Sequence, residues 1–243
     1  MATQNFHTGV TGDNLDPAEI DKFQSIASRW WDTESEFKPL HDINPLRVEY
    51  IETQSGGLDG KQVLDIGCGG GILCEAMAAR GAMVTGIDLA DQSLEVANLH
   101  LLESGLEVDY QHVSAEQFCA DNPGRFDVVT CLELLEHVPD PDSIVFAAAQ
   151  ALKPDGVLVL STLNRNPKSF LLAIVGAEYV LRMLPRGTHD FKKFIKPSEL
   201  ARAARMAGLA VDDTTGITYN PLTRDYHLAQ SIDVNYLMTC RPA

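Results

Sequence analysis

The sequence predicts an α/β fold, and two observations support this prediction. Short apolar runs suited to buried strands alternate with helical segments along residues 62–213. Parallel β-α-β units have this pattern, because each crossover helix covers one face of the sheet. One strand-to-helix junction is a glycine-rich loop, which is typical of sheets that bind a ligand at their carboxyl edge. We therefore predict a single domain over residues 1–243 with a Rossmann-like, doubly wound, mostly parallel seven-stranded sheet and helices on both faces.

The glycine-rich loop at residues 67–71 (GCGGG) lies between a predicted strand at 62–66 and a predicted helix at 72–80. Four glycines in five positions cannot continue a strand, since they supply no side-chain packing and readily adopt positive φ. The first amides of the helix then face the loop. A strand, a glycine loop and a helix in this order predict a site where a ligand approaches the backbone closely.

Asp88 ends the second predicted strand, about 20 residues after the glycine loop. A carboxylate at this place suits a ribose, because its two oxygens can accept from both hydroxyls. The dinucleotide motif Gly-x-Gly-x-x-Gly is incomplete here, since Gly67 and Gly69 match it but Ile72 occupies the third glycine position. A nicotinamide-dependent oxidoreductase is therefore the less favoured interpretation. A tight turn followed by a chance acid is the purely structural alternative.

The loop and its preceding strand carry a more specific pattern. Leu64-Asp65-Ile66-Gly67-Cys68-Gly69-x-Gly71 resembles motif I of the class I S-adenosylmethionine-dependent methyltransferases. The resemblance implies that the loop lies under the methionine part of the cofactor and that Asp88 holds its ribose. S-adenosylmethionine is therefore the expected cofactor, and methyl transfer is the expected reaction.

The composition excludes several other classes of protein. The 243 residues carry a net charge of −15, which argues against a general nucleic-acid binder because phosphate contacts need a basic surface. The five cysteines show no C-x-x-C spacing, which favours reduced thiols in a cytosol. We see no signal peptide and no apolar run of the roughly 18 residues that span a bilayer. We therefore expect a cytoplasmic protein.

Residues 1–60 are predicted to form a helical extension before the core. Asp16 and Pro17 supply the cap and the first turn of one helix. Trp30 and Trp31 follow, and two adjacent tryptophans cannot both face one core. We predict that at least one of them lines a ligand site or a lid, with packing of both across a bend as the alternative.

A second helix of this extension is predicted to start at Asn44 and Pro45, which again have cap and first-turn chemistry. Arg47 then falls in the first turns, where the helix dipole disfavours a cation. We infer that Arg47 has another partner. The methionine carboxylate of the cofactor is the candidate, and a surface arginine is the plain alternative.

The other strands and helices follow from apolar runs and their caps. The predicted strands are 62–66, 83–88, 108–113, 126–132, 157–162, 209–213 and 233–239, and the main helices after the loop are 72–80, 91–104, 141–152 and 197–207. Their alternation predicts right-handed crossovers and a parallel sheet.

The segment after the fourth strand, residues 132–138 (LELLEHV), lies at the ligand-facing edge of such a sheet. If this segment is helical, Glu133, Glu136 and His137 stand at i, i+3 and i+4 on one face. These groups suit a divalent ion, and Mg²⁺ would lower the pKa of a bound phenol hydroxyl. Alternatively, His137 alone is a general base. In a third interpretation both acids are solvated and His137 packs or caps locally.

Residues 164–196 form an insertion that is too long for an ordinary loop. It contains an apolar segment, 169–184, and seven of the chain's 19 lysines and arginines. An apolar helix with basic flanks suits the surface of an anionic membrane. We predict that residues 165–193 contact such a surface, with a cover over the active site or a dimer helix as alternatives.

Several unusual strings extend the resemblance far beyond the glycine loop. They are residues 27–32 (ASRWWD), 37–41 (FKPLH), 43–47 (INPLR), 136–141 (EHVPDP), 161–166 (STLNRN), 187–190 (GTHD), 193–197 (KFIKP) and 233–236 (DVNY). On these strings the chain, from Phe23 to about Tyr236, resembles the family of bacterial ubiquinone biosynthesis O-methyltransferases.

This resemblance implies methylation of two phenolic hydroxyls in the quinone pathway, on substrates that carry a long polyprenyl tail. It implies peripheral association with the inner membrane, with other quinone-biosynthesis proteins as candidate partners. The resemblance also implies that five residues contact the cofactor: Arg47, Gly67, Gly69, Asp88 and Leu132. It implies that Glu133, Glu136 and His137 bind a metal ion or supply the base. The alternatives are a carbon methyltransferase of the same pathway, a membrane-bound scaffold without activity, and the nicotinamide oxidoreductase.

Overall fold

The computed structural model describes residues 14–170, 191–220, 223 and 225–243. Its strands are β1 (Gln62–Ile66), β2 (Met83–Asp88), β3 (Val108–His112), β4 (Phe126–Leu132), β5 (Leu152–Leu163), β6 (Leu209–Asn220), β7 (Asp225–Ala229) and β8 (Asn235–Pro242). They form one sheet in the order β3-β2-β1-β4-β5-β8-β6-β7. β1 to β5 pair in parallel, whereas β8 lies antiparallel between β5 and β6.

The helices are α1 (Pro17–Ile26), α2 (Lys38–Ser55), α3 (Ile72–Ala78), α4 (Asp91–Ser104), α5 (Ala115–Asp121), α6 (Pro141–Ala151), α7 (Pro167–Ser169) and α8 (Pro197–Met206), with 3₁₀ turns at Ala27–Arg29 and Phe191–Lys193. α1 begins as predicted, because the Asp16 side chain accepts from the Ala18 amide at 3.1 Å and Pro17 occupies the first turn.

Successive residues of the central strands face two separate hydrophobic cores. In β1, Leu64 packs in the core that α5, α6 and α8 cover, whereas its neighbour Val63 packs in the core under α2, α3 and α4. In β4, Val129 packs in the first of these cores and Val128 packs in the second. Side chains alternate between the faces of a strand, so helices cover both faces of this sheet. The predicted fold class is therefore confirmed.

The described sheet has one strand more than the seven predicted. β6 continues past the predicted end at residue 213 and pairs antiparallel with β7, from Gly216↔Ala229 to Asn220↔Asp225. The sequence of this extension, residues 212–220 (DDTTGITYN), lacks an apolar run because it is a half-exposed part of the sheet. A strand near a sheet edge does not need the continuous apolar pattern of a buried one.

The start of α2 differs from its prediction. Pro39 stands in the first turn, and Pro45 lies inside the helix. Asn44 does not cap a helix; instead, its Nδ2 donates to the Ile72 carbonyl at 3.1 Å. A tertiary contact here outweighs the local cap signal. Arg47 consequently lies in the interior of α2, and the argument from the helix dipole does not apply to it.

The insertion at 164–196 lies within the described residues only at its two ends. α7 begins directly after Asn166, whose side chain caps the helix. The predicted apolar helix at 169–184 lies almost wholly outside the described residues, as do Arg182 and Arg186. Among the helices that the structure describes, none is both long and apolar enough to cross a membrane.

Candidate active site

A cavity of about 640 Å³ lies at the carboxyl ends of β1, β2 and β4. Crevices of this kind in open α/β sheets bind ligands, because the loops after the strands converge there. The cavity brings together all the residues that the sequence predicts for cofactor binding and chemistry: Arg47, Gly67, Gly69, Asp88, Leu132, Glu133, Glu136 and His137.

The glycine loop is shaped by positive φ and by a tryptophan packed against it. Gly67 and Gly69 have φ of 74° and 52°, in the left-handed region that favours glycine. A Cβ on Gly69 would lie 2.5 Å from the Trp30 ring, and one on Gly70 would clash with the same ring. Trp30 is buried and donates through Nε1 to Ser93 Oγ at 3.1 Å. The loop therefore needs its glycines both for its backbone and for the approach of Trp30.

The second tryptophan holds the same loop from another side. Trp31 donates through Nε1 to the Gly70 carbonyl at 2.9 Å and stacks on His100, with ring centroids 3.4 Å apart. His100 Nδ1 lies 2.8 Å from Oε1 of the buried Glu75. Of the two tryptophans, Trp30 lines the cavity, in agreement with the prediction that one of them would.

Asp88 joins the second strand to the glycine loop. Its Oδ2 accepts from the Gly69 amide at 2.8 Å, and its Oδ1 accepts from the Ala90 amide at 2.7 Å. Burial raises the pKa of Asp88, although both backbone hydrogen bonds act in the opposite direction. Each carboxylate oxygen keeps a second lone pair, which can accept from a ribose hydroxyl.

Asp65 is a site residue to which the sequence analysis gave no role. It is 3% exposed, and its carboxylate accepts from Thr130 Oγ1 at 2.6 Å and from Cys74 Sγ at 3.2 Å. Burial raises the pKa of Asp65 to about 6. A buried acid at a cavity wall is costly unless a ligand or a cation compensates it. Its place two residues before the first glycine was the available signal.

Arg47 is buried at the cavity wall beside Glu133. Its Nη2 lies 3.1 Å from Glu133 Oε1, but neither Nε nor Nη2 makes an aligned hydrogen bond. Buried donors without partners are uncommon, because each costs its desolvation free energy. The carboxylate of an S-adenosylmethionine molecule would supply the aligned acceptor oxygens that Nε and Nη2 lack, in addition to the Glu133 charge beside Nη2. The residues present thus fit this cofactor.

The turn after β4 is not helical, so the condition under which Glu133, Glu136 and His137 would share one helical face is not met. Glu133 has φ of 54°, and its amide continues the sheet by donating to the Ser161 carbonyl at 3.2 Å. A left-handed residue at this position cannot belong to the first turn of a right-handed helix. The three side chains therefore leave the backbone in directions that the sequence pattern did not predict.

Both acids of this turn are tied to the protein. Glu133 Oε1 accepts from Ser161 Oγ and from Asn235 Nδ2, each at 2.8 Å, and Glu136 Oε2 accepts from Thr162 Oγ1 at 2.7 Å. Burial acts to raise the pKa of Glu133, but the Arg47 charge together with the hydrogen bonds from Asn235 and Ser161 outweighs it, and the pKa is lowered. Burial and then the Glu133 charge raise the pKa of Glu136 to about 7.

His137 faces α1 rather than the two acids. Its Nδ1 lies 3.1 Å from Glu19 Oε2, and its ring meets the edge of Phe23 at a centroid distance of 5.1 Å. Within the described residues, no group of three or more His, Cys, Asp or Glu side chains is arranged to hold a metal ion. One carboxylate oxygen each of Glu133 and Glu136 accepts hydrogen bonds from other side chains, and the set does not fit the predicted magnesium ion.

The cavity also has an extensive apolar wall. Side chains from α1, from the turn after β4 and from the last residue of β5 contribute to it: Ile20, Phe23, Ile26, Leu134, Val138 and Leu163. Pockets for aromatic or aliphatic ligands have this character, with a few polar groups that fix orientation. One cavity thus offers polar groups for a nucleoside and an amino acid, and apolar groups for a second molecule.

Comparison with known proteins places this geometry in a family. A family model described as a methyltransferase domain matches residues 44–214. Among solved structures, magnesium protoporphyrin IX methyltransferase from Synechocystis PCC 6803 with bound SAH superimposes with a TM-score of 0.67 at 20% identity, covering 94% of this chain and all of that one. The PH0226 protein from Pyrococcus horikoshii OT3 gives a TM-score of 0.65 at 14% identity, covering 91% and 99%. These two likenesses support the methyltransferase fold.

Curated relatives are far more similar in sequence. The ubiquinone biosynthesis O-methyltransferase of Pseudomonas aeruginosa strain LESB58 is 63% identical over 93% of this chain and 97% of its own length. The protein of the same description from Thiobacillus denitrificans is 63% identical over 94% and 98%, and that from Bordetella pertussis is 61% identical over 99% and 98%. With this identity along nearly its whole length, the chain belongs to the family of ubiquinone biosynthesis O-methyltransferases.

Proposed function

We propose that this protein transfers the methyl group of S-adenosylmethionine to phenolic hydroxyls of polyprenylated catechol and demethylubiquinol intermediates, and so performs both O-methylation steps of ubiquinone biosynthesis. The observation that carries the proposal is one cavity that contains Arg47, Asp88 and the glycine loop together with His137 and an apolar wall. The family of the chain supports the reaction and the pathway.

The cofactor would be held by groups whose hydrogen-bonding capacity remains available. Arg47 would bind the methionine carboxylate through Nε and Nη2, which make no aligned hydrogen bond although Nη2 lies beside Glu133, and Asp88 would accept from the ribose hydroxyls. Gly67 and Gly69 would let the loop backbone approach the methionine part, and Leu132 would pack against the cofactor. The sulfonium of the bound cofactor supplies an electrophilic methyl group.

His137 is the candidate catalytic base. A phenol attacks a methyl group effectively only as it loses its proton, so a base beside the hydroxyl accelerates transfer. In the proposed reaction the imidazole takes the hydroxyl proton while the oxygen–methyl bond forms and the sulfur–methyl bond breaks. The apolar wall would hold the phenol ring of the substrate so that its hydroxyl oxygen lies in line with the sulfur–methyl bond. Such alignment contributes strongly to the rate.

The proposed reaction does not use the predicted magnesium ion, and an experiment can test this. Glu133, Glu136 and His137 are engaged with separate partners, so we assign them no metal-dependent step. We expect the purified enzyme to keep full activity after treatment with EDTA and gel filtration. A loss of activity that magnesium alone restores would overturn this expectation.

The proposed reaction is tested with a short-chain prenylated catechol and S-adenosylmethionine. We expect an O-methyl product by NMR, together with release of S-adenosylhomocysteine. Asp88→Ala and His137→Ala should lose most of the activity, whereas Asp109→Ala and His227→Ala, which change exposed residues outside the cavity lining, should keep it. A ring-carbon methyl product would establish the carbon methyltransferase instead.

A scaffold without activity makes a different prediction. If the chain only assembles other quinone-biosynthesis proteins, cells carrying Asp88→Ala should make normal amounts of quinone. We expect them to accumulate the unmethylated precursor. The protein level of the variant must match the wild type for this comparison to hold.

We further propose contact of residues 165–193 with an anionic membrane surface, as a peripheral association with the inner membrane. The proposal rests on the apolar and basic sequence of the insertion. Within its described ends, Arg165, Lys168 and Lys193 form ion pairs with acidic residues. We expect co-sedimentation with phosphatidylglycerol vesicles, and no binding to neutral phosphatidylcholine vesicles.

Variants of the insertion sharpen this test. Deletion of residues 165–193 should abolish vesicle binding, but it also removes the contacts of Lys193 with Asp16 and Glu19 at the start of α1. The double substitution Arg182→Glu and Arg186→Glu reverses charge without shortening the chain. If both variants still bind anionic vesicles as the wild type does, the insertion is not the membrane contact.

A further inference from the structure

We propose that Glu19 is a positioning residue that fixes the ring orientation and the tautomer of His137. The inference rests on the proposed function, because it concerns how His137 is prepared to take a proton from the substrate hydroxyl. Glu19 lies in the first turn of α1, in the N-terminal extension, far in sequence from the turn after β4. The sequence patterns gave it no role.

The contact itself defines the tautomer. Glu19 Oε2 lies 3.1 Å from His137 Nδ1. The hydrogen bond with His137, opposed by burial, lowers the pKa of Glu19 to about 2, so the carboxylate is ionised at neutral pH. An ionised carboxylate can only accept hydrogen bonds, and the proton between the two groups must therefore be on Nδ1. In the neutral imidazole, Nε2 is then the nitrogen with a free lone pair, as a base requires.

Further contacts restrict the imidazole ring. The edge-on ring of Phe23 packs against it with an interplanar angle of 85°. The backbone amide of His137 donates to the Leu134 carbonyl at 2.8 Å, which fixes the base of the side chain. His137 is only 13% exposed, so water competes little for Nδ1. A carboxylate on one ring nitrogen and an aromatic edge on the ring leave little rotational freedom.

Glu19 is itself held in place from a third part of the chain. Lys193 Nζ lies 3.1 Å from Glu19 Oε1 and 3.2 Å from Asp16 Oδ2, and Lys22 Nζ lies 3.6 Å from Glu19 Oε2. Both carboxylate oxygens are thus engaged, one toward His137 and one toward Lys193. The helix dipole adds a favourable term for an anion in the first turn of α1. The arrangement resembles the way a carboxylate orients a general-base histidine in other enzymes.

Asp16 provides a matched control. It shares Lys193 with Glu19 but does not contact His137 in the described structure. Asp16→Asn keeps a good N-cap for α1 while it removes the charge beside Lys193. Glu19→Ala removes the partner of Nδ1, and Glu19→Gln keeps the size of the side chain but offers an amide that can also donate.

The test combines a spectroscopic and a kinetic measurement on the full-length enzyme. We expect ¹⁵N-histidine NMR to show His137 protonated at Nδ1 in the wild type and in Asp16→Asn, and a mixture of tautomers in Glu19→Ala and Glu19→Gln. With the prenylated catechol, we expect kcat of Glu19→Ala to fall at least about tenfold, while the Kd of S-adenosylmethionine stays within about twofold. The fall should be smaller than that of His137→Ala, since loss of a general base costs about 10²- to 10⁴-fold.

The outcomes separate this inference from the function on which it rests. An unchanged tautomer and an unchanged kcat in Glu19→Ala overturn the positioning role while the methyltransferase assignment stands. Wild-type enzyme that fails to methylate the catechol overturns the proposed function, and the role of Glu19 with it. If Glu19→Ala unfolds early in a thermal melt, Glu19→Gln carries the test, because it fills the same space.

Discussion

Arg47 shows how a single buried residue links packing to ligand affinity. Two of its guanidinium nitrogens lack aligned partners, and its nearest acid is Glu133. Hydrogen bonds to charged groups contribute about 1.5–3 kcal/mol, so Arg47→Ala should raise the Kd of S-adenosylmethionine about 10- to 100-fold in calorimetry. Arg47→Lys, which keeps the charge but not the two-pronged geometry, should lie in between. Equal affinities for the wild type and Arg47→Ala would remove Arg47 from the cofactor site.

Asp65 makes the stability of the protein depend on pH in an unusual direction. Its ordinary pKa is 3.8, and burial raises the pKa to about 6 in the folded protein. Between these two pH values the unfolded chain has released the proton while the folded chain retains it. Stability therefore falls as pH rises from about 4 to about 6, by roughly 3 kcal/mol, and stays lowered above that range.

The substitution Asp65→Asn removes this titration, at the expense of one hydrogen-bond acceptor. We predict that the melting temperature of the variant, relative to the wild type, is higher at pH 7.5 than at pH 4. Circular dichroism melts at the two pH values measure the difference. Asp127→Asn is a suitable control, because the pKa of Asp127 is lowered and its substitution should change relative stability in the opposite direction. A relative stability of Asp65→Asn that does not change with pH would contradict the buried, proton-retaining carboxyl.

At the scale of elements, the glycine loop and the N-terminal extension form one packed unit. Gly70 does not have a positive φ, and the atoms nearest to a Cβ at this position all belong to Trp30. We predict that Gly70→Ala displaces Trp30, lowers the melting temperature and weakens cofactor binding. Trp30→Ala alone should cost about 3–5 kcal/mol, as large aromatic truncations in cores do.

A double-mutant cycle tests whether the two changes act through one contact. If Trp30 is the obstacle, Gly70→Ala should cost much less when Trp30 is already alanine. Chemical denaturation of the four proteins gives the coupling free energy. Additive effects would show that the loop rejects a side chain at Gly70 for another reason.

The elements that sequence reasoning predicted well are those whose signals are local and repeated. β1, β2 and β4 end where predicted because each is a buried apolar run bounded by polar or glycine residues. The failures have tertiary causes. Asn44 makes a contact with Ile72 instead of capping a helix, and Glu133 continues the β4 ladder to Ser161 instead of starting a helical turn.

The same reasoning explains which site residues were missed. Asp88 and the glycines could be predicted as site residues because their spacing follows from one β-α-β unit. Glu19 and Asp65 could not be assigned in that way: Glu19 reaches His137 only when α1 folds over the cavity, and Asp65 is defined by its burial. Contacts between residues more than 100 positions apart leave no periodic signal in a single sequence.

At the scale of the whole molecule, the site exists only when four distant parts of the chain meet. α1, the glycine loop and the turn after β4 line the cavity, and Lys193 at the end of the insertion binds Glu19, the partner of His137. A ligand that binds this assembly and not the unfolded chain must stabilise the entire fold. At a ligand concentration of 100 times Kd, the stabilisation is about 2.7 kcal/mol, which raises the melting temperature by about 5–10 °C for a domain of this size.

We therefore predict this shift for S-adenosylhomocysteine and no comparable shift for NADH at the same concentration. The nicotinamide cofactor should fail because Ile72 occupies the position at which the third glycine of the dinucleotide motif permits close helix packing. Asp88→Ala should lose the shift from S-adenosylhomocysteine, whereas Asp109→Ala, on the exposed side of β3, should keep it. Scanning fluorimetry at several ligand concentrations measures both. A larger shift with NADH than with S-adenosylhomocysteine would contradict this prediction. It would show that the cavity binds a dinucleotide in preference to a cofactor of the S-adenosylmethionine type.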